Sequence, residues 1–415
     1  MFDDLRTLGR NFWLYTTGRW ISQAGWVVQD IAVPLYVLDK TGSGAMMSAF
    51  VLAELIPRLA LNPIAGVIGD RYDRKKLMYG LDIVRGILLF GVLAFNLLGI
   101  GELMLIQVVM SVLGTFFSAG IVGMFPDLVG REQLAQANSI LRSGGQVLRI
   151  VGPVLGGLIY AFGGIRLAIL INAVSFFGSG LFEILIEYER ETRKLSSVRE
   201  IWDDMVEGFR FIRASKSLLI LVSLAIVLNT LLNPVFAVVL PYLTRVTLGL
   251  SSVQFGSIET SATLGALAGN ILIAGKLKEH SEGLLFKAAF LQFVSMSLLV
   301  LAAYPAFREI AYPLLLVTFV LFGVFNTLVN VPLFIKLQKA VPGEVRSRFF
   351  TAFETAVMAT TPVGMALIGP LLNVFPVYVL IGALLAASFS VSVLYYLRFG
   401  ETIMKVGEEM PEVVA

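Results

Sequence analysis

The chain has 415 residues, 57% hydrophobic and 15% charged, with a formal net charge of +3 and a mean hydropathy of +0.83. That is more apolar side chain than a soluble core can hide, so the composition implies a membrane protein. The absence of cysteine excludes disulfides, thiol catalysis and cysteine-ligated clusters, and a single histidine, His280, argues against a histidine metal site. No metal and no bound cofactor is expected, and no constellation for a catalytic residue stands out.

Apolar segments recur at the length of roughly 20 to 25 residues that a helix rising ~1.5 Å per residue needs to cross hydrocarbon. The ten-residue alternation of a β-barrel is not seen. The spacing predicts twelve spans at 12–38, 44–68, 77–99, 103–126, 133–163, 165–187, 217–245, 251–275, 284–304, 308–336, 343–375 and 376–399. The first contains Arg19 and Asp30 and lacks a cleavage signal, so it reads as a helix, not a leader. With the N-terminus inside, 22 of the 32 lysines and arginines fall in cytoplasmic segments and four in external loops. This bias predicts a multi-pass protein of the plasma (inner) membrane with both termini cytoplasmic. The basic residues sit in short loops, so they report orientation and not a nucleic-acid partner.

The organisation expected is a six-helix bundle over 1–187, a cytoplasmic linker over 188–216, a second six-helix bundle over 217–399 and a disordered tail over 400–415. In the linker, Ser197-x-x-Glu200 reads as a capping box, followed by Val198, Ile201, Trp202, Met205, Val206, Phe209 and Ile212 at helical spacing. An amphipathic helix lying along the inner membrane surface is expected there. Val33-Pro34-Leu35-Tyr36 is echoed by Leu240-Pro241-Tyr242-Leu243, Phe50-x-x-x-Glu54 by Phe255-x-x-x-Glu259, and Gly152-Pro153-Val154 by Thr361-Pro362-Val363. The offsets are close to one another at all three places, which argues for duplicated halves of parallel topology.

The densest charge cluster is Gly66-Val-Ile-Gly69-Asp70-Arg71-Tyr72-Asp73-Arg74-Lys75-Lys76, between spans 2 and 3. Gly66 and Gly69 allow close backbone approach where one helix ends, and the Asp70 carboxylate can meet free N–H groups at a helix start. Positive-inside anchoring alone is the simpler reading of the basic residues. The stretch resembles the G-x-x-x-D-R-x-G-R-[KR]-[KR] signature of the major facilitator superfamily, with Asp73 where that family usually has glycine. The resemblance implies a cytoplasmic gate built from Gly66, Gly69, Asp70, Arg71 and Arg74. In it Asp70 would face the start of helix 11 near Gly343, with the arginines pairing across the cytoplasmic seam. The equivalent turn of the second half, 275–280, is degenerate. Gly152-Pro153-x-x-Gly156-Gly157 on span 5 looks like the Gly-Pro motif of exporters in this superfamily, although tight helix packing alone would explain it. The end of span 1 (Ile31-Ala-Val-Pro34-Leu-Tyr-Val37) and Trp202-x-x-x-Val-Glu207-Gly208 look like the branch with macrolide-efflux and enterobactin-exporter-like proteins.

An ionised side chain at mid-bilayer costs about 2.5 to 3.5 kcal/mol, so each embedded charge needs a partner or a watery cavity. Glu54, Arg58 and Asn62 form one stripe on span 2, as an internal ion pair or a transport site. Asp30 lies at similar depth. Asn138, Arg142, Gln146 and Arg149 form a stripe on span 5, where Arg149 could neutralise an acid, hold an anion or bond helix carbonyls; Arg142 and Arg85 are expected to snorkel. Asp30, Glu54, Glu259 and Glu354 are the proton-coupling candidates, with Glu259 and Glu354 the better placed to titrate because no embedded arginine lies in their half, and hydrogen bonding to neighbouring Ser and Thr their alternative. Arg58, Arg149, Gln146 and the amide pairs Asn229/Asn233 and Asn326/Asn330 are the substrate-cavity candidates, with interhelical hydrogen bonds the alternative for the asparagines. The charged helix-4 residue of many drug–proton antiporters is absent, since Gln107 to Phe125 carries no charge.

The fold expected is all-α, two pseudo-symmetric six-helix bundles. The function expected is a monomeric secondary exporter in the lipid bilayer, moving a small amphiphilic or hydrophobic compound outward in exchange for protons by alternating access. The rival is export of an anionic siderophore or flipping of a lysolipid. An ATP-driven pump is disfavoured because the Gly269–Lys276 stretch does not match a phosphate-binding loop.

Overall fold

A computed structural model describes residues 8–188, 197–275 and 285–404, and every regular element among the described residues is helical. The first helix, α1 (Gly9–Thr41), ends at Gly42, whose φ of 58° is the left-handed stop that glycine permits. The Ser43 hydroxyl then accepts from the Met46 N–H and starts α2 (Gly44–Arg71). Asp73 caps α3 (Arg74–Ala94) by accepting from the Lys76 N–H at 3.1 Å. The departure from the family glycine is thus a helix N-cap. After α4 (Ile100–Met124), the stretch Leu134–Ile184 runs unbroken except at Gly164, where φ is 60° and ψ −161°. Its limbs, α5 (134–163) and α6 (165–184), are the expected spans 5 and 6, joined through one residue with no loop.

The linker holds α7 (Val198–Ala214). Then come α8, which starts as Lys216–Pro234 and continues through π-helical turns at Val235–Val239 and Leu243–Thr247, and α9 (Ser252–Gly275). They are followed by α10 (Leu285–Ala303), α11 (Ala311–Ala340), α12 (Gly343–Ala359 and Thr361–Leu372) and α13 (Val377–Met404). The π turns flank Pro241, which cannot donate to the ladder. Among the described residues, ten helical stretches are long and apolar enough to cross a membrane. One of them is the α5–α6 rod, and α1, 33 residues long but richer in charge, completes twelve. The expected tail begins later than 400, since α13 continues to Met404; residues 405–415 lie outside the described residues.

The chain forms two compact units. Unit 1 comprises Met1–Lys40, Ala53–Val198 and Ser251–Gly256; unit 2 comprises Thr41–Leu52, Arg199–Leu250 and Ser257–Ala415. The division is less simple than a cut at the linker, because the first turns of α2 and α9 each join the unit of the other sequence half. Small residues explain both exchanges. In unit 1, a Cβ on Gly256 would meet the Pro153 carbonyl oxygen at 2.1 Å, and one on Gly157 would meet the Ser252 carbonyl oxygen at 2.3 Å. The Ser252 hydroxyl donates to the Gly157 carbonyl at 2.7 Å. In unit 2, a Cβ on Gly369 would fall 2.3 Å from that of Ser48. Asn373 there accepts from the Gly44 N–H at 2.9 Å and donates to the Ser43 hydroxyl at 3.1 Å.

Unit 1 packs Phe12, Tyr15, Met78, Ile121, Met124 and Phe125 into one buried cluster. In unit 2, α7 gives Phe211 and Ile212 to a cluster shared with Leu218 and Leu221 of α8 and Val345 and Phe349 of α12. The apolar face expected against lipid is therefore partly spent on protein, although Trp202 stays exposed. The Arg348 guanidinium fixes α7 by donating to Asp204 at 2.7 Å and to Glu207 at 2.6 Å. Gly208 permits the approach, since a Cβ there would lie 2.3 Å from the Arg348 carbonyl oxygen.

Two outcomes are expected. Gly256→Val overpacks the α5–α9 contact and should lower the thermal midpoint of the purified protein, at a cost of about 1–3 kcal/mol. Arg348→Ala should release α7, seen as faster proteolytic cleavage within 198–214 while the spans stay protected.

Candidate functional site

The charged turn lies in unit 1. A Cβ on Gly69 would meet the Ala119 side chain and carbonyl oxygen at 3.0 Å, so this glycine lets the end of α2 press on α4. The backbones of Asp70 and Arg71 close α2, and their side chains lie outside the described residues, as does the degenerate turn 275–280 beyond Gly275. Arg74 is buried. Its guanidinium pairs with Asp127 at 3.2 Å, at the end of α4, and its Nε–H donates to the Gly69 carbonyl at 3.4 Å. The pairing expected across the seam is, for Arg74, an ion pair inside one unit. Asp127 sits in the 3₁₀ turn Phe125–Asp127, which Pro126 starts, and this aims its carboxylate back at the α2–α3 turn. The Tyr188 hydroxyl donates to the same Asp127 oxygen at 2.9 Å. Burial, and then this hydrogen bond, raise the Tyr188 phenol above its ordinary value, so it remains a donor through neutral pH.

Deeper in unit 1 lies a cavity of about 320 Å³. From α1 it is lined by Arg19, Gln23 and Trp26, and from α2 by Glu54, Arg58 and Asn62. Arg85 of α3, Ser111, Thr115 and Phe117 of α4 and Phe176 of α6 complete the wall. The stripe Glu54–Arg58–Asn62 faces one space, as its spacing of four implies. Its internal ion pair does not form among the described residues, however. Glu54 instead accepts from the Gln107 amide of α4 at 3.0 Å, while Asp30 of α1 is near enough to feel the charges of Glu54 and Arg58. A carboxylate held by a neutral amide can exchange a proton without losing a fixed counter-ion.

Beside this cavity is a charge centre that sequence reasoning missed. Arg85 of α3 does not snorkel: it is 5% exposed, its guanidinium donates to Asp82 at 2.5 Å, and it lies 4.1 Å and 4.5 Å from the ring centroids of Phe117 and Phe176. Asp82 is 0% exposed and Glu183 of α6 only 1%. The Ser179 hydroxyl donates to Glu183 at 3.2 Å, and Arg19 of α1 acts on both acids electrostatically. The i, i+3 pair Asp82–Arg85 inside a span was the available sequence signal.

The remaining candidates are dispersed. Arg149 and Gln146 are exposed on α5 and do not line the cavity. On the same helix, Gly152 and Gly156 fit against Val27 and Ile31 of α1, while Pro153 and Gly157 take the first turn of α9. In unit 2, Asn233 donates to Asn229 at 3.1 Å and to the Thr361 hydroxyl at 3.3 Å, and Asn229 donates to the Ala225 carbonyl. These amides therefore tie α8 to itself and to α12. Asn330 donates to the Asn326 carbonyl at 2.9 Å and borders a separate apolar recess with Phe334 and Phe353. Glu354 is exposed and Glu259 half-buried, and neither carboxylate has a hydrogen-bond or ion-pair partner among the described residues.

Removing Arg74 would leave Asp127 largely buried without its guanidinium. Arg74→Ala should therefore cost about 3–5 kcal/mol of stability, measured as a fall in thermal midpoint, and Arg74→Lys distinctly less.

The Major Facilitator Superfamily model matches residues 16–365. Macrolide efflux protein A of Streptococcus pyogenes is 23% identical, covering 86% of this chain and 88% of that protein. The multidrug efflux pump Tap of Mycolicibacterium fortuitum is 27% identical, covering 84% and 86%. Among solved structures, a bacterial homologue of the iron transporter ferroportin in an inward-facing state superposes with a TM-score of 0.69 at 20% identity, covering 94% of this chain and 98% of that one. The nucleoside transporter NupG does so with a TM-score of 0.72 at 12% identity, covering 94% and 99%, and both likenesses speak to the fold. With the family model spanning most of the sequence, the chain belongs to the Major Facilitator Superfamily and is a membrane transporter, not an enzyme.

Proposed function

We propose that the protein is a secondary exporter, acting as a monomer in the plasma (inner) membrane with both termini cytoplasmic. It moves a small amphiphilic or hydrophobic organic compound outward by alternating access, driven by proton exchange and not by a bound nucleotide. The observation that carries this reading is the unit 1 cavity, where the Trp26 ring stands among charged, amide and hydroxyl side chains. Such a lining suits a cargo with an apolar part and a polar part. The efflux functions named for the relatives support the outward direction, and the bias of basic residues supports the orientation.

Glu54 is the first choice for the exchanging acid. It lines the cavity and is held by a neutral amide, so a proton and a cargo can compete for the same space. Asp30, exposed on α1, is near enough to feel the charge of Glu54. Glu259 and Glu354 are the corresponding candidates in unit 2. Arg74 and its neighbours would act as a latch at the cytoplasmic end, with the Arg74–Asp127 pair holding the turn in shape.

A second reading has one specific observation in its favour. Three arginines, Arg19, Arg58 and Arg85, line the cavity against one carboxylate, Glu54. An acidic siderophore or a lysolipid headgroup could be held there.

The test is accumulation of a labelled macrolide and of a labelled anionic amphiphile in cells with and without the protein. Lower accumulation that collapses with a protonophore is expected, and Glu54→Gln should return it to the level of the host strain while Glu102→Gln, on the same unit, does not. Equal accumulation of every compound in every strain would refute export. Preference for the anionic probe, lost in Arg58→Ala, would favour the second reading.

A further inference from the structure

We infer that the buried centre formed by Arg19, Asp82, Arg85, Ser179 and Glu183 is a proton-binding site, separate from Glu54, in which Glu183 is held as the neutral acid beside the Asp82–Arg85 ion pair. It depends on neither the cargo nor the direction of transport.

Two ionised carboxylates are acceptors only, with about four lone-pair directions each. The donors recorded at this centre are few. Arg85 reaches one oxygen of Asp82, and the Ser179 hydroxyl donates to one oxygen of Glu183 while also bordering Asp82. A hydroxyl has one proton and cannot serve both acids at once. Among the described residues, Asp82 Oδ2 and Glu183 Oε2 are both buried without a hydrogen-bond partner, and so are Arg19 Nε and Thr16 Oγ1. Bare ionised oxygens out of reach of water are among the costliest groups a protein can hold, whereas a neutral carboxyl there is far less so.

The two acids are partnered unequally. Asp82 has the Arg85 guanidinium on one oxygen, whereas the donor to Glu183 among the described residues is the Ser179 hydroxyl. The neutral carboxyl is therefore held more readily on Glu183 than on Asp82.

The groups that face Glu183 are few. From α1 they are Tyr15 and Arg19, from α3 Asp82 and Arg85, and from its own helix Ser179. Tyr15 is engaged elsewhere, donating to the Ile121 carbonyl at 3.2 Å. Phe117 and Phe176 close both faces of Arg85, so this cation cannot swing freely towards a second acid. Because Arg85 also borders the cavity, the site lies one side chain away from the space proposed for cargo.

The test needs no substrate. The purified protein is reconstituted in liposomes with glutamate labelled at the side-chain carboxyl carbon, and the infrared carbonyl stretch of protonated carboxyl groups is recorded at neutral pH. The expected result is a label-sensitive protonated band that Glu183→Gln removes and Glu54→Gln leaves in place. Ser179→Ala, which removes the hydroxyl donor, should shift the frequency of that band, an effect that a purely structural role for Glu183 would not produce. If Glu183→Gln proves unstable, the Ser179→Ala shift in labelled protein decides the matter. A band unchanged in both variants, or its absence from the wild type, would overturn the inference. Survival of transport activity in Glu183→Gln together with loss of the band would leave the proton site standing and separate it from cargo export.

Discussion

A charge in a hydrocarbon slab has no water to fall back on, and that constraint shapes unit 1 more than any other. An embedded ion costs about 2.5–3.5 kcal/mol even on the mildest scale, so each must meet an opposite charge, a dipole or a wet space. Arg85 meets all its needs from protein, with Asp82 at one side and two aromatic rings over its faces. Arg74 does so near the helix ends, against Asp127. Arg58 forms no ion pair among the described residues and stands in the cavity wall. These three solutions sort the arginines into two that build the bundle and one left available.

The second constraint is distance between backbones. Helices in lipid gain little from burying apolar surface against each other, so close contact must come from small residues and from carbonyl–hydroxyl bonds. Gly157, Gly256 and Ser252 do this in unit 1; Gly44, Gly369 and Ser48 do it in unit 2. Both sets involve the first turn of a helix that follows a short loop. This is why the compact units exchange those turns and do not divide at the linker.

Much of the fold was legible because the period of the apolar runs matches the thickness of a bilayer, and no competing pattern was present. The joint at Gly164 was legible as a boundary but not as a single residue, since a gap between two apolar runs does not say whether a loop fills it. The docking of α7 was only half legible. Its amphipathic spacing announced a buried face, but lipid and protein ask for the same residues, and only the ion pairs of Arg348 decide for protein. At the site, the stripe on α2 was readable from spacing alone, because residues four apart share a face. Its ion pair was not, because the Gln107 amide lies on another helix, 53 residues away. Asp82 and Glu183 escaped for the same reason, being meaningful only once α1, α3 and α6 are side by side. The asparagines of α8 show the converse: good spacing for a pathway, yet amides occupied by helix contacts.

The exchange of first turns bears on biosynthesis. Gly157 presents its carbonyl to a partner that lies 95 residues further along the chain, at Ser252, and the Pro153–Gly157 strip packs closely on that partner's turn. During synthesis the early helices enter the bilayer long before that partner leaves the ribosome, so this strip must wait against lipid or a membrane chaperone. Unit 1 therefore cannot reach its finished form as an N-terminal fragment. A truncated chain ending in the linker would be an incomplete object, whatever the apparent independence of its six helices.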